Sequence, residues 1–263
     1  MKAFLVLGCV SLLAGPAAAK NISITITQAT RVVDGNLEAN IKIGNSGDEA
    51  ALSVVPTLRF GDKEVHGKGQ ASLGPNASFD ETLSLPVGAL GEGRWPYRLA
   101  VDYTDANQYP FQALQTQSVV VGNPPPAKVA VPAIKSEDIA GSGTLAITVK
   151  NHTPDSRTAH VDVLVPEGLE VTNGSRELTL EAWKEEHLDV PVTNRTALVG
   201  SRYPVFVSAQ YDDGGVHQAV VAQGIVSVVG TESFFTRNRQ LLWVLAGAVV
   251  LAWLTVVVVR AMR

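Results

Sequence analysis

From Ile22 onward, apolar residues recur at every second position. Ile22-Ser23-Ile24-Thr25-Ile26-Thr27 alternates strictly, as a strand with one buried face does. Leu37-Glu38-Ala39-Asn40-Ile41-Lys42-Ile43 alternates again and runs into Gly44-Asn45-Ser46-Gly47, a turn cluster. Further strands are predicted at Ala51 to Phe60, interrupted by Pro56, then at Phe79 to Leu85, Tyr97 to Tyr103 and Gln108 to Val121. No convincing helical period occurs between residues 20 and 230. The pattern breaks at Leu241 to Val259, where nineteen residues pass without a charge. At 1.5 Å per helical residue that run spans roughly 28 Å, the hydrocarbon thickness of a bilayer.

The alternating region is written twice. Leu37–Ile43 corresponds to Gly143–Lys150, and Val54-Val55-Pro56 to Leu164-Val165-Pro166. Leu83–Val87 corresponds to Leu188–Val192, Trp95-Pro96 to Tyr203-Pro204, Tyr103 to Tyr211, and Val119–Gly122 to Ser227–Gly230. The offsets stay between 105 and 110 residues, the drift that loop insertions produce. Short strands at this spacing indicate a sandwich. The expected fold is all-β: two tandem immunoglobulin-like β-sandwiches followed by one transmembrane α-helix. Within each copy, Trp95 and Tyr203 are expected to seal one end of the sandwich, and the shared proline to end or bend a strand.

The ends of the chain change the picture from a globular pair to an envelope protein. Lys2, the apolar run Phe4 to Ala14 and Ala17-Ala18-Ala19 make a secretory signal cut before Lys20. An uncleaved anchor and a lipoprotein signal at Cys9 are the alternatives. The expected organisation is signal peptide 1–19, sandwich 20–122, proline-rich linker 123–127, sandwich 128–230, juxtamembrane segment 231–240, transmembrane helix 241–259 and cytoplasmic tail 260–263. Cys9 is the single cysteine, so the mature chain has no disulfide, which fits a bacterial envelope better than an animal cell surface. Five Asn-x-Ser/Thr sequons (Asn21, Asn76, Asn151, Asn173 and Asn194) read as turn chemistry. The expected location is the bacterial inner membrane, single-pass, with the sandwiches in the periplasm or outside and the C-terminus cytoplasmic. A net charge of −4 without a basic patch argues against nucleic acid.

The phrase Ala146-Ile147-Thr148-Val149-Lys150-Asn151-His152-Thr153-Pro154-Asp155-Ser156-Arg157-Thr158-Ala159 resembles the strand, Asn, turn, strand signature of bacterial immunoglobulin-like domains of the CARDB and NEW3 types. Ile41–Ala51 is the same phrase in the first copy, and Pro166-Glu167-Gly168-Leu169-Glu170-Val171 resembles a NEW3 stretch with Leu169 in place of its aromatic. The resemblance covers both copies and implies an extracytoplasmic spacer or interaction module. A shared fold does not transmit a function.

Chemistry is sparse. The five histidines (His66, His152, His160, His187 and His217) show no metal-ligand spacing, and neither Gly-x-Ser-x-Gly nor a mature thiol is present. Asp102 with Asp105 and Asp212 with Asp213 could offer oxygens to calcium but read as polar hairpin tips. No catalytic residue, cofactor or metal is expected, and the reading is not an enzyme. The candidate binding aromatics are Trp183, in a charged turn without an aromatic counterpart in the first copy, and Tyr109 with Phe111. Ala248, Ala252 and Trp253 are candidates for helix pairing. The expected function is a non-enzymatic interaction or scaffold subunit of an envelope assembly, with other envelope or membrane proteins as partners. The alternative is a carbohydrate-binding or adhesion module.

Overall fold

The computed structural model describes residues 21–230. The signal 1–19, the juxtamembrane segment 231–240, the span 241–259, the tail 260–263 and the pairing candidates Ala248, Ala252 and Trp253 lie outside them. The described chain is all-β, and no helix among the described residues is long and apolar enough to cross a membrane. It forms two compact units, one of residues 21–90 with Tyr97–Gln115 and one of Gly91–Pro96 with residues 116–230.

In the first unit, β1 (Ile24–Val33), β2 (Asn36–Asn45) and β6 (Ser78–Pro86) make one antiparallel sheet in the order β1-β2-β6. Asp34 and Gly35 both take positive φ (48° and 74°), the turn that matches the twist of a two-residue hairpin. The register puts Ile26 opposite Ile43 and Leu37 opposite Leu85, so the alternating residues share the inner face. Facing strands are β3 (Ala51–Phe60), β4 (Lys63–His66), β5 (Gln70–Leu73) and the parts of β7 (Gly93–Thr104) and β8 (Pro110–Val121) that lie within Tyr97–Gln115, with β3 at the centre. Leu37, Ile43, Val54, Leu58, Leu73, Leu99 and Val101 are buried.

Pro56 does not interrupt β3. It lies between the residues that pair with β5, which end at Val54, and those that pair with β4, which begin at Thr57. The missing N–H therefore costs no ladder bond on that side. A bulge between Leu52 and Val55, with Ser53 at φ 50°, bends the strand just ahead of it. Strands β4 and β5 carry too few apolar residues for the alternation to show them.

The second unit holds β9 (Val129–Ser136), β10 (Ser142–Asn151), β11 (Arg157–Leu164), β12 (Leu169–Val171), β13 (Ser175–Leu180), β14 (Glu185–Asn194), β15 (Arg202–Asp213) and β16 (Val216–Ser227). One sheet runs β12-β14-β10-β9; the strands β13-β11-β15-β16 make the other face. Leu145, Ile147, Val149, Val161, Leu180, Val190, Val205 and Val207 are in the core between them. Here the proline does end a strand, since β11 stops at Leu164, two residues before Pro166. Gly214 and Gly215, at φ 62° and 86°, turn β15 into β16.

Trp95 and Tyr203 do not play matching parts. Tyr203 packs on the second core and its hydroxyl accepts from Leu198 N at 2.8 Å. Trp95 belongs to the second unit and stacks on His217 at 4.0 Å rather than closing the first sandwich. The prolines 124–126 are held in place: Arg94 donates to Pro125 O and, at 2.8 Å, to the buried Gln218 Oε1, while Gln218 Nε2 also donates to Pro125 O at 3.2 Å.

Candidate interaction site

The shared asparagine decides where the candidate site sits. Asn151 is fully buried at the end of β10. Its Nδ2 donates to Asp155 O, Leu180 O and Glu181 O at 2.7, 3.2 and 3.1 Å, and its Oδ1 accepts from Thr153 N and Oγ1 at 3.1 and 2.7 Å. Asn45 does the same in the first copy: Nδ2 donates to Glu49 O and Leu73 O at 2.7 and 3.1 Å, and Oδ1 accepts from Gly47 N and Ser23 N at 3.0 and 3.3 Å. Each amide thus ties the turn after its own strand to the last carbonyls of a strand in the opposite sheet. A carboxylate could not donate these bonds and an aliphatic residue would leave several buried backbone groups unpaired. This is why the strand, Asn, turn phrase needs asparagine. It also means that one of the sequons, Asn151, is a buried structural residue.

The bracket fixes the next turn. In the second copy Trp183 N donates to Thr153 O, Lys184 N to Glu181 O and Asn151 N to Lys184 O. In the first copy Asn76 N donates to Asn45 O, Ala77 N to Gly74 O and Asn45 N to Ala77 O. Asn76 and Trp183 are the left-handed residues of these two turns, at φ 57° and 60°. Asparagine tolerates that conformation; a bulky ring does not favour it. The Trp183 side chain is also 62% exposed, so it gains little packing in return. Two unfavourable choices coincide at one residue, and the first copy avoids both.

Tyr109 and Phe111 are brought together, but as a packed ladder. Asp105 Oδ1 accepts from Asn107 N and Tyr109 N, each at 2.8 Å, which shapes the loop. The Tyr109 ring tilts against Phe111 at 5.1 Å, and Phe111 stacks on Tyr103 at 5.5 Å. Their faces are used on one another. Among the described residues, Trp183 is the one large aromatic that is exposed.

The acidic pairs separate. Asp213 lies 2.7 Å from Lys128 Nζ and 2.9 Å from Arg157 Nη1, and the bond from Lys128, then that from Arg157, hold its carboxyl below the usual carboxylate range. Asp212 instead meets His217 Nδ1 at 3.0 Å. Asp102 accepts from Gln112, and Asp105 is spent on its own loop. Among the described residues no group of three His, Cys, Asp or Glu side chains could hold a metal ion.

One constellation is invisible in the sequence. His160 Nε2 lies 3.0 Å from Ser175 Oγ and 3.2 Å from Asp162 Oδ1, and its Nδ1 lies 2.9 Å from Glu177 Oε1. The signal that could have found it is register: β11 and β13 place His160 opposite Glu177 and Asp162 opposite Ser175. The spacing suggests a nucleophile, base and orienting acid. The electrostatics oppose that chemistry. Burial lowers the His160 pKa, but the Glu177 hydrogen bond and the two carboxylates outweigh it and leave it raised. A carboxylate at each ring nitrogen favours the protonated ring, the form that cannot accept the serine proton. The cluster is a polar strap between β11 and β13.

No family model matches the chain, and no curated protein matches it. Solved structures align with much of the chain at low identity. Red sea bream transglutaminase aligns over 80% of the chain at 10% identity and a TM-score of 0.28, covering 31% of its own length. A Salmonella alpha-2-macroglobulin mutant aligns over 80% at 13% identity and a TM-score of 0.34, covering 16% of its length. The YadV chaperone aligns over 77% at 16% identity and a TM-score of 0.28, covering 99% of its length. The chain spans less than a third of the transglutaminase and macroglobulin chains.

Proposed function

We propose that this chain is a non-enzymatic interaction arm of a bacterial envelope assembly. It consists of two tandem immunoglobulin-like sandwiches of the CARDB or NEW3 kind, carried outside the cytoplasm and anchored by Leu241–Val259 in the inner membrane. The observation that supports it is Trp183, an exposed ring on a left-handed backbone where the equivalent residue is Asn76. Such a residue persists where something outside the fold uses it. Tryptophan is the side chain most enriched where partners anchor on one another. Its isolation favours a protein partner over a sugar, since a carbohydrate platform lays several rings along one face and Tyr109 and Phe111 are packed on each other.

The test is Trp183→Asn, which installs the first copy's own solution. Membranes carrying the full chain are solubilised gently and the co-purifying proteins identified by mass spectrometry. The variant keeps or raises the thermal midpoint and loses the partner. A variant that unfolds more easily while retaining its partner would show that Trp183 serves the fold. Retention of glycans by the wild-type chain, with no protein partner recovered, would move the reading to carbohydrate binding.

A further inference from the structure

We infer that the loop Leu198–Val199, together with Val229, is a lipid-contacting tip that rests on the bilayer surface. The inference builds on the membrane-anchored reading and adds a second contact with the same membrane.

The loop is built, not slack. Gly168 O accepts from Arg195, Thr196 and Ala197 N, and Asn194 clasps the turn through Ala197 N and O at 2.8 and 3.1 Å. Ala197 is buried and plugs the core, which drives the next two side chains outward. Tyr203 Oη accepts from Leu198 N, and Gly200 N donates to Val228 O at 2.7 Å. The result presents Leu198 and Val199 to solvent at 40% and 65% exposure, beside Val229 at 37%. Val199 lies against Gly230, where an added β-carbon would meet its Cγ1 at 3.2 Å. Ile225, on the same strand end, is 47% exposed, and Arg202, exposed at the start of β15, supplies a cation for a headgroup phosphate. At the corresponding positions of the first copy, 108 residues earlier, stand the half-buried Leu90 and the exposed Gly91, so the fold does not require an apolar side chain at the place of Val199.

Position names the occupant. The patch adjoins Gly230, and ten residues separate it from Leu241, where the uncharged run begins. Ten residues reach no further than about 36 Å even when extended. The apolar tip is therefore tethered at the membrane end of the second unit, where burial of leucine and valine in the interfacial layer is favourable and costs no new ordering of a rigid loop.

The experiment uses the full chain with Cys9→Ser, reconstituted in phosphatidylethanolamine and phosphatidylglycerol vesicles. Val199→Cys carries an environment-sensitive fluorophore, and Lys63→Cys, exposed in the first unit, serves as the control. At position 199 the emission shifts to the blue and is lost to lipids doxyl-labelled near the headgroup, while the control responds to neither. Adding Leu198→Asp moves the label back into water. A chain that stays in the vesicles at alkaline pH but shows a wet label at 199 overturns the tip and leaves the anchor standing. A dry label that doxyl lipid does not quench means a second copy covers the patch, and also overturns it. A chain extracted at alkaline pH fails the anchored reading, and the tip with it.

Discussion

At the scale of the residue, buried asparagine and buried glutamine behave in opposite ways. Asn45 and Asn151 are polar, buried and fully used, so replacing either with alanine strands backbone groups in two sheets at once. Asn151→Ala is expected to cost about 3 kcal/mol, read as a lower urea midpoint with an unchanged slope. Gln28 is the converse. Its Oε1 and Nε2 are both buried without a partner among the described residues. Gln28→Met, similar in shape, is expected to raise stability by about 1 kcal/mol in the same titration. The asparagines were legible as a repeated phrase, because the phrase recurs before each turn. Their bonds were not, since Leu73 and Leu180 lie 28 and 29 residues away.

At the scale of the element, charge pins strands that apolar burial alone holds weakly. Strand β13 lies at the edge of its sheet and is strapped by His160 to Glu177. The His160 pKa is raised in the folded state, so the strap contributes fully below about pH 6.5 and is lost as the pH climbs through the folded value. Amide exchange in β13, corrected for its intrinsic pH dependence, should accelerate across that window, and His160→Gln should abolish the step. Asp213 works in the other direction. Its pKa is depressed, so its contribution stands above about pH 4 and disappears as the pH falls through the folded value. Asp213→Asn leaves the largely buried Arg157 without its carboxylate and is expected to cost about 3 kcal/mol at neutral pH. The same variant should flatten the acid limb of the melting curve.

At the scale of the whole molecule, the proposed topology makes a simple prediction. Cys9 is the only native cysteine, so a Cys9→Ser background is blank. Single cysteines at the exposed residues Lys63 and Asp189 should both react with a membrane-impermeant maleimide in cells whose outer membrane alone has been opened. Protection of both until the inner membrane is lysed would place the sandwiches in the cytoplasm and end the envelope reading.

The sequence by itself determined the all-β character and the duplication. A strand's side chains alternate between two faces, so a chain that buries one face must write period two into its residues. Turn chemistry is equally local: Asp34-Gly35 and Gly214-Gly215 can be read where they stand. The tertiary structure alone decided which equivalent residues do equivalent work. Pro56 lies within a strand and Pro166 beyond the end of one, because the strands beside them pair differently. His160 meets Ser175 and Glu177 only through the register of β11 on β13. Trp183 was visible as an unmatched aromatic, but its left-handed backbone and exposure follow from a turn that Asn151 holds from another strand. Contacts between residues far apart in the chain arise from how sheets pack, and no local pattern encodes them.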